Sequence, residues 1–269
     1  MRLREVIKQL TPPLVVEVAK RLLKGDAAKA DLRRYNRAGN IPWSQGYDIY
    51  KRNFIIQTLG SDDLLLPFRR GTSLPSGYGV GIDERCIEYP WLVAHTHDGQ
   101  ENYLDAGSTL NYDFILDHPT FRRKTMHILT LAPEANCYWQ RGISYIFSDL
   151  RDMPYRDAYF DTIACLSTLE HVGCDNTSYT SKGAYGAQRP KDFVFAMQEF
   201  ARVLKSGGEL FVTVPFGVYS HFGTFQQFDR ELLSQAIEAF GKATEVTETF
   251  YQYTVEGWKK ASAADCTEC

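Results

Sequence analysis

The chain has 269 residues, of which 44% are hydrophobic and 23% are charged, with a formal net charge of -3 at pH 7. These values are ordinary for a soluble globular protein and argue against a disordered or fibrous chain. No apolar run reaches the 18 or so residues of a membrane-spanning helix, and charges and prolines interrupt the apolar stretch that a secretory signal needs. We therefore expect a cytoplasmic protein.

The charge is unevenly distributed along the chain. Residues 1–37 carry a net charge of +6, so the remainder carries -9. An acidic body without a basic stripe disfavours nucleic-acid binding. The six cysteines are scattered, as in a reducing compartment, and Cys266 and Cys269 have no further zinc ligands nearby in the sequence. We expect no bound metal.

Residues 2–24 have the apolar spacing of two short amphipathic helices around Pro12 and Pro13, with basic residues beside the apolar stripe. Three interpretations of these helices stay open. They contact an anionic membrane surface peripherally, they pack on the body of the protein, or they pack on a second copy of the chain in a homo-oligomer.

The next segment is rich in aromatic residues, glycine and proline. The sequence predicts a helix over 47–59 and a second helix over 82–96 that Pro90 kinks. Between them, residues 67–81 contain four glycines and two prolines. We expect this segment to be a mobile loop near the active site.

From residue 103 onward, strands and helices alternate, which is typical of an α/β fold. The predicted strands are 103–106, 126–131, 144–147, 160–166 and 209–214, and the predicted helices are 111–118, 191–204 and a helix from Asp229 to 240. Two later strands, 244–251 and 253–259, complete a Rossmann-like, doubly wound, seven-stranded mixed sheet. Ligands of such folds bind at the carboxyl ends of the strands.

Several motifs follow one another in a fixed order along these strands and the loops that join them. They are Asp149-Leu150, Phe160-Asp161, Glu170-His171-Val172, and Arg-Val-Leu-Lys at 202–205 followed by Ser206-Gly207-Gly208. Together they resemble the second half of a class I S-adenosylmethionine-dependent methyltransferase of the methyltransferase domain 11 type. The resemblance covers about residues 100–260 and implies S-adenosylmethionine as the cofactor.

The resemblance also implies which residues bind the methionine part of the cofactor. Asp105, Gly107 and Ser108 occupy the first motif of the family, where the acidic residue meets the cofactor ammonium or orders the loop. The family has further glycines at the positions of Thr109 and Asn111. Because asparagine tolerates the left-handed backbone conformation, we expect Asn111 to substitute for one of them.

The ribose and adenine sites follow from the second and third motifs. Thr130 stands where the family has the acid that grips the ribose, with Leu131 beside it. Glu134 lies four residues further on and is the candidate to reach the ribose. The resemblance implies that Asp149 accepts the adenine amino group and that the Leu150 amide faces the ring.

The loop after the fourth strand contains the candidate catalytic residues. The resemblance implies that this loop, beginning at Ser167, lines the methyl-transfer centre. His171 is the first candidate base because its pKa suits proton transfer near neutral pH. Glu170 either orients it or joins it in holding the loop to the sheet. His221 is the second candidate base, and residues 172–190 are a candidate lid over the acceptor.

Other functional classes fit the sequence less well. His95-Thr96-His97-Asp98 is a fragment of a metallohydrolase metal motif without its remaining ligands. A nicotinamide-dependent oxidoreductase needs a Gly-x-Gly-x-x-Gly run after the first strand, which this chain lacks. The alternative to an active enzyme is a catalytically impaired, methyltransferase-like scaffold that binds a partner through its N-terminal helices.

The sequence therefore predicts an enzyme with three segments: a helical extension over 1–100, a methyltransferase domain over 101–260, and a tail over 261–269. We expect transfer of a methyl group from S-adenosylmethionine to an oxygen or nitrogen atom of a small molecule. A sugar or glycan precursor, methylated during polysaccharide biosynthesis, is the acceptor that we favour.

Overall fold

The computed structural model of the protein describes residues 27–180, 188–241 and 243–267. The predicted helices over 2–24, Cys269 and part of the predicted lid lie outside these ranges. The helices are 27–37, Tyr47–Leu59, Asp62–Arg70, Arg85–His95, Asp113–Leu116, Pro119–Arg122, Thr177–Thr180, Phe193–Val203 and Arg230–Phe240. The strands are β1 Asn102–Ala106, β2 Thr125–Thr130, β3 Ser144–Phe147, β4 Phe160–Leu166, β5 Leu204–Thr213, β6 Ser220–His221, β7 Gln226–Gln227, β8 Phe250–Thr254 and β9 Gly257–Ala261.

Five parallel strands form the central sheet in the order β3-β2-β1-β4-β5. β1 lies in the middle, where Leu104 is in register with His127 of β2 and with Ile163 of β4. A parallel sheet is buried on both faces, so its strands read as nearly continuous apolar runs. This explains why the sequence predicted β4, which is almost entirely buried, at its observed bounds. The edge strand β3 was also predicted at its observed bounds, although its residues are half-buried or exposed. The doubly wound, Rossmann-like fold class is confirmed.

Successive side chains of each strand enter two apolar clusters on opposite faces of the sheet. In β4, Ile163 belongs to the cluster that contains the Phe193–Val203 helix, and Ala164 belongs to the other. Side chains alternate in this way because the repeat of a strand is two residues. The second cluster contains Ile55 and Leu92, from the helices that precede the sheet. The segment predicted as an N-terminal extension therefore shares a core with the sheet.

The connection between β1 and β2 contains two short helices in place of the single helix that the sequence predicted. A single helix was expected over 111–118, but the structure has Asp113–Leu116 and Pro119–Arg122 instead. Proline disfavours the helical conformation in the residue before it. His118 is accordingly extended, with ψ 139°, and this divides the helix.

The later strands do not complete the sheet. In the described part of the chain the sheet has five parallel strands, and β8 and β9 form a separate antiparallel hairpin, so the prediction of a seven-stranded mixed sheet is wrong in this respect. The hairpin binds the loop that precedes the Arg85–His95 helix. Trp258 donates from its backbone N to Tyr78 O (2.8 Å) and from Nε1 to Ile82 O (2.9 Å), which satisfies backbone groups of that loop.

The segment predicted as a mobile loop over 67–81 is partly helical, because the Asp62–Arg70 helix continues through Pro67 and ends at Gly71. The rest of the loop is held in place. Tyr78 is buried and donates from its hydroxyl to Cys86 O at 2.7 Å. The glycines in this loop allow the chain to pass close to the hairpin.

Two of those glycines make a matched pair for testing that close approach. Both have a left-handed backbone, with φ 63° at Gly79 and φ 74° at Gly77. A Cβ atom on Gly79 would lie 2.6 Å from Cys86 Sγ and 2.9 Å from Trp258 Cδ1, whereas a Cβ on Gly77 would have nothing within 4 Å. We expect Gly77→Ala to cost about 1 kcal/mol of unfolding free energy from backbone strain alone. Gly79→Ala should cost about 1–3 kcal/mol more, because it overfills a packed site.

The measurement is urea-induced unfolding of both variants and the unchanged protein. The slope of free energy against urea should be shared by all three, so that the midpoints report stability. Equal losses in the two variants would show that the hairpin does not constrain Gly79.

Candidate active site

The loops that follow the parallel strands meet at the carboxyl edge of the sheet. Gly107, directly after β1, has φ 126° and donates from its backbone N to Leu129 O of β2 at 2.8 Å. A Cβ atom on Gly107 would overlap the side chain of Thr168, which follows β4. The glycine of the first motif is thus required where two of these loops touch.

Asp105 is fully buried at the end of β1, and it orders the loop that follows. Its Oδ1 accepts from Thr109 N (3.1 Å) and Thr109 Oγ1 (3.2 Å), and its Oδ2 accepts from Leu110 N (2.8 Å). Burial raises the pKa of Asp105 to about 7, although these hydrogen bonds oppose the shift. Of the two roles predicted for this residue, the geometry supports the ordering of the loop.

Ser108, and not Asn111, adopts the left-handed conformation in this loop, with φ 64°. The expectation that Asn111 substitutes for a family glycine in this way is therefore wrong. Its side chain instead joins the next loop, donating to Asn136 O at 3.0 Å and accepting from the Tyr145 hydroxyl at 2.8 Å. The Ser108 hydroxyl is buried and has no hydrogen-bond partner among the described residues.

The loops after β2 and β3 lie side by side, because Ser148 N donates to Thr130 O at 3.0 Å. Thr130, Leu131 and Glu134 are all half-buried along this edge. They lie where a ligand could contact them without any rearrangement of the sheet.

Asp149 and Leu150 follow β3. Leu150 is buried, whereas the Asp149 side chain is 20% exposed and forms an ion pair with Arg151 at 2.7 Å. Arg151 also forms an ion pair with Asp192 at 2.5 Å. The adenine-site carboxylate is therefore part of a three-residue charged group.

Sequence reasoning missed a buried carboxylate at this edge. Glu88, in the Arg85–His95 helix, is 5% exposed, and its Oε1 accepts from Ser167 Oγ at 2.6 Å and from Thr213 Oγ1. Its Oε2 accepts from Arg85. Ser167, predicted to bind the cofactor, therefore directs its hydroxyl towards Glu88. The only sequence signal was that Glu84, Arg85 and Glu88 lie on one side of the helix predicted over 82–96.

His171 lies in the short 3-10 turn after β4, half-buried beside Tyr179 and Phe225. Its Nδ1 is 2.7 Å from Thr224 O, an acceptor, so Nδ1 carries the proton and Nε2 presents a lone pair. Within the described ranges Nε2 has no hydrogen-bond partner. Burial lowers the pKa of His171 and Arg85 lowers it further, while the bond to the Thr224 carbonyl raises it.

Glu170 does not orient His171, since the Thr224 carbonyl does so. Glu170 is 4% exposed and its Oε2 has no partner in the described part of the chain. Burial, and then the charge of Glu88, hold its pKa well above the usual range for a carboxyl group. Burial therefore favours the uncharged form of Glu170.

His221 is engaged at both ring nitrogens. Its Nδ1 accepts from Gly223 N at 3.3 Å, and its Nε2 lies 3.7 Å from Cys174 Sγ. Burial raises the pKa of Cys174 to about 11, so the thiol stays protonated at neutral pH. His171 has a lone pair to offer and His221 does not, which favours His171 as the base.

The opposite edge of the sheet contains structural ion pairs. A cavity of about 320 Å³ there is lined by polar residues that include Glu101 and Asp161. Glu101 pairs with Lys124 at 2.5 Å, and Asp161 pairs with Lys205 at 2.6 Å. Each of these carboxylates is paired with a lysine. We therefore interpret the cavity as part of the structural framework and not as a binding site.

The described residues do not support a metal site or a membrane-spanning helix. Among them, no group of three His, Cys, Asp or Glu side chains is arranged as a metal site. His95 Nδ1 contacts Trp91 O at 2.8 Å, and His97 Nε2 lies 3.4 Å from Glu209. In the same ranges, no helix is both long and apolar enough to cross a membrane.

The strand order β3-β2-β1-β4-β5, with these loops at its carboxyl edge, is a Rossmann-like arrangement. Residues 127–212, from β2 to β5, match the family described as a methyltransferase domain. The match lies within the part of the chain over which the sequence resembles a class I methyltransferase, and it confirms that resemblance. The cofactor of this class of enzyme is S-adenosylmethionine. A comparison with curated proteins finds no match.

Several solved structures, two of them of methyltransferases by name, are partly similar in fold. The 1,6-didemethyltoxoflavin-N1-methyltransferase of Burkholderia thailandensis, with S-adenosylhomocysteine bound, is 13% identical with a TM-score of 0.45, over 64% of this chain and 73% of that chain. The geranyl diphosphate C-methyltransferase of Streptomyces coelicolor is 14% identical with a TM-score of 0.43, over 57% and 59%. The YcgJ protein of Bacillus subtilis is 12% identical with a TM-score of 0.44, over 62% and 72%. The methyl acceptors named for these proteins do not identify the acceptor of this chain.

The contacts of Glu88 predict a large effect on stability. In Glu88→Gln, the new amide keeps one acceptor for Ser167 but loses the charge that pairs with Arg85. We expect a loss of about 3 kcal/mol in unfolding free energy, since a partly buried arginine is left without its partner. Glu84→Gln changes an exposed carboxylate at the start of the same helix and should cost less than about 1 kcal/mol. Urea unfolding measures both, and a loss in Glu88→Gln no larger than in Glu84→Gln would contradict the role assigned to Glu88.

The raised pKa of Asp105 predicts that this residue makes stability depend on pH. A carboxyl group whose pKa is higher in the folded state than the unfolded value near 4 favours folding at low pH, and that contribution is lost as the pH rises towards 7. Asp105→Asn cannot titrate. Between pH 5 and pH 8, the unfolding free energy of the unchanged protein relative to Asp105→Asn should fall by about 2–3 kcal/mol. All other titrating groups are shared, so a difference that stays constant with pH would refute the assignment.

Proposed function

We propose that this protein transfers a methyl group from S-adenosylmethionine to an oxygen or nitrogen atom of a small-molecule acceptor. The observation that carries the proposal is the state of His171. Its Nδ1 is fixed by Thr224 O at 2.7 Å, which leaves a lone pair on Nε2 at the carboxyl edge of the sheet. Such a group is suited to accept the proton of an acceptor hydroxyl or amine.

The residues at the carboxyl edge of the sheet have the polar groups needed to hold S-adenosylmethionine. The Ser108 hydroxyl is buried without a partner in the described residues, and a polar group of the cofactor's methionine part would satisfy it. Thr130 and Glu134, both half-buried, offer oxygen acceptors for the ribose hydroxyls. Asp149, whose side chain is 20% exposed, offers an acceptor for the adenine amino group, and the backbone amide of Leu150 is our candidate to face the ring.

The chain's own contribution to the chemistry is to orient the acceptor and to remove its proton. When bound, S-adenosylmethionine supplies an electrophilic methyl group, whose bond to sulfur breaks as its bond to the acceptor forms. His171 Nε2 takes the proton that the acceptor oxygen or nitrogen loses. Because the pKa of His171 lies below its ordinary value, the ring is neutral and competent at neutral pH. Proximity and orientation supply much of the remaining acceleration.

The surroundings of His171 indicate an acceptor with a ring. Tyr179, which packs against His171, and Phe222 are 61% and 56% exposed, and Phe222 stacks on Phe225, which contacts His171. Exposed aromatic faces of this kind stack on the flat face of a sugar or an aromatic ring. A sugar or glycan precursor is the acceptor that we propose, which places the enzyme in polysaccharide biosynthesis.

The scaffold alternative is not favoured, because a scaffold has no need of a histidine whose tautomer is fixed beside the motif loops. A cytoplasmic location, peripheral membrane contact through residues 1–24 and a homo-oligomeric state remain proposals. The sequence basis of the membrane contact and of the homo-oligomer is the segment 2–24, which lies outside the described ranges.

His171→Asn tests the proposal. The variant should bind S-adenosylhomocysteine within about twofold of the unchanged protein, and its turnover should be lower by about 10²–10⁴-fold, the usual contribution of a general base. In the unchanged enzyme, turnover should rise with pH through the His171 pKa, which lies below 6.5, and then level off.

Turnover is measured as transfer of label from methyl-labelled S-adenosylmethionine to a panel of monosaccharides, sugar nucleotides and phenols. His97→Asn, at an exposed histidine, is the matched control and should behave like the unchanged protein. Turnover by His171→Asn equal to that of the control would refute the role of His171. Failure of the folded protein to bind either form of the cofactor would refute the proposed function as a whole.

A further inference from the structure

Arg151 donates three hydrogen bonds to the carboxylate of Asp149, the residue predicted to bind adenine. Its backbone N and its Nε donate to Asp149 Oδ1 at 2.9 and 3.0 Å, and its Nη2 donates to Asp149 Oδ2 at 2.7 Å. A planar guanidinium that bonds both oxygens of a carboxylate fixes its plane as well as its position. The Asp149 side chain is therefore held in one orientation.

Arg151 is itself held by Asp192, because its Nη1 donates to Asp192 Oδ2 at 2.5 Å. Asp192 directly precedes the Phe193–Val203 helix, which packs in the core. The segment before it is also anchored, since Arg189 N donates to Gly173 O at 2.6 Å and Gln226 Nε2 donates to Pro190 O at 2.6 Å. The guanidinium is thus supported by rigid structure on the side away from Asp149.

The number of lone-pair positions that Arg151 leaves free on Asp149 indicates what this ion pair does. An ionised carboxylate offers about four lone-pair positions. Arg151 occupies two on Oδ1 and one on Oδ2, and no other described residue bonds to this side chain. One position on Oδ2 is left, and it has a defined direction. It can accept one N–H bond, which is what an exocyclic amino group on a purine provides.

We propose that Arg151 is a positioning residue that aims the remaining lone pair of Asp149 at the 6-amino group of adenine, with Asp192 as its support. This inference rests on the proposed function. It makes Arg151 a determinant of selectivity. A 6-oxo purine presents an oxygen acceptor to the same lone pair and is repelled, and that discrimination depends on how well Asp149 is held.

The experiment compares two ligands by calorimetric titration: S-adenosylhomocysteine and S-inosylhomocysteine, its 6-oxo analogue. Each is titrated into the unchanged protein, Arg151→Gln and Arg151→Lys. Arg69→Gln is the matched control, because Arg69 pairs only with Asp62 of its own helix, at 3.0 Å, among the described residues. Thermal unfolding confirms that each variant is folded.

The unchanged protein should prefer the 6-amino ligand. Arg151→Gln should weaken S-adenosylhomocysteine binding by about tenfold, the value of one hydrogen bond to a charged group, and change binding of the 6-oxo ligand much less. Arg151→Lys keeps the charge but lacks the planar fork, so it should show the same loss of selectivity and serves if the glutamine variant does not fold. Arg69→Gln should match the unchanged protein. In an Asp149→Ala background, Arg151→Gln should have no further effect on S-adenosylhomocysteine.

The outcomes separate this inference from the proposed function. If the unchanged, folded protein binds neither ligand, the proposed function fails. If it binds S-adenosylhomocysteine and the Arg151 variants keep the same preference, Arg151 does not position Asp149. An equal loss for both ligands would mark a purely structural role and would also overturn the inference.

Discussion

One buried carboxylate connects the parts of the structure that form the candidate site. Glu88 belongs to a helix that precedes the sheet in sequence, yet its Oε1 accepts hydrogen bonds from Ser167 after β4 and from Thr213 of β5. The ends of these two strands are therefore fixed by a third element. A buried, unpaired carboxylate would be costly, but here Arg85 supplies the compensating charge. The N-terminal segment is thus an integral part of the site's geometry.

The strands of the sheet were predictable because their signal is local. β4 is buried along almost its whole length, and an apolar run with motif residues at its carboxyl end was enough to place both β4 and the partly exposed edge strand β3. The separate hairpin was not predictable in this way. It is held by contacts such as Trp258 Nε1 to Ile82 O, between residues 176 positions apart in the chain. No short window of sequence contains that information.

The same distinction applies to the site. The sequence named the correct loops, because parallel strands end at a common edge. It did not name the partners of the side chains in those loops. Ser167 bonds to Glu88, 79 residues away, and His171 is oriented by Thr224, 53 residues away, and not by its neighbour Glu170. Residue type and spacing predict the chemistry that is available, and tertiary contacts decide which group uses it.

Burial also determines how charge is distributed at this edge, and the choice of His171 as base depends on that distribution. A strongly negative edge would raise the pKa of a nearby histidine and keep it protonated, which would prevent it from accepting a proton. Here burial raises the pKa of Glu170 well above its usual range and so favours its uncharged form, and Glu88 is paired with Arg85. Arg85 in addition lowers the pKa of His171. The helix before the sheet therefore contributes twice, with Glu88 fixing the loop that carries His171 and Arg85 favouring the neutral form of its ring.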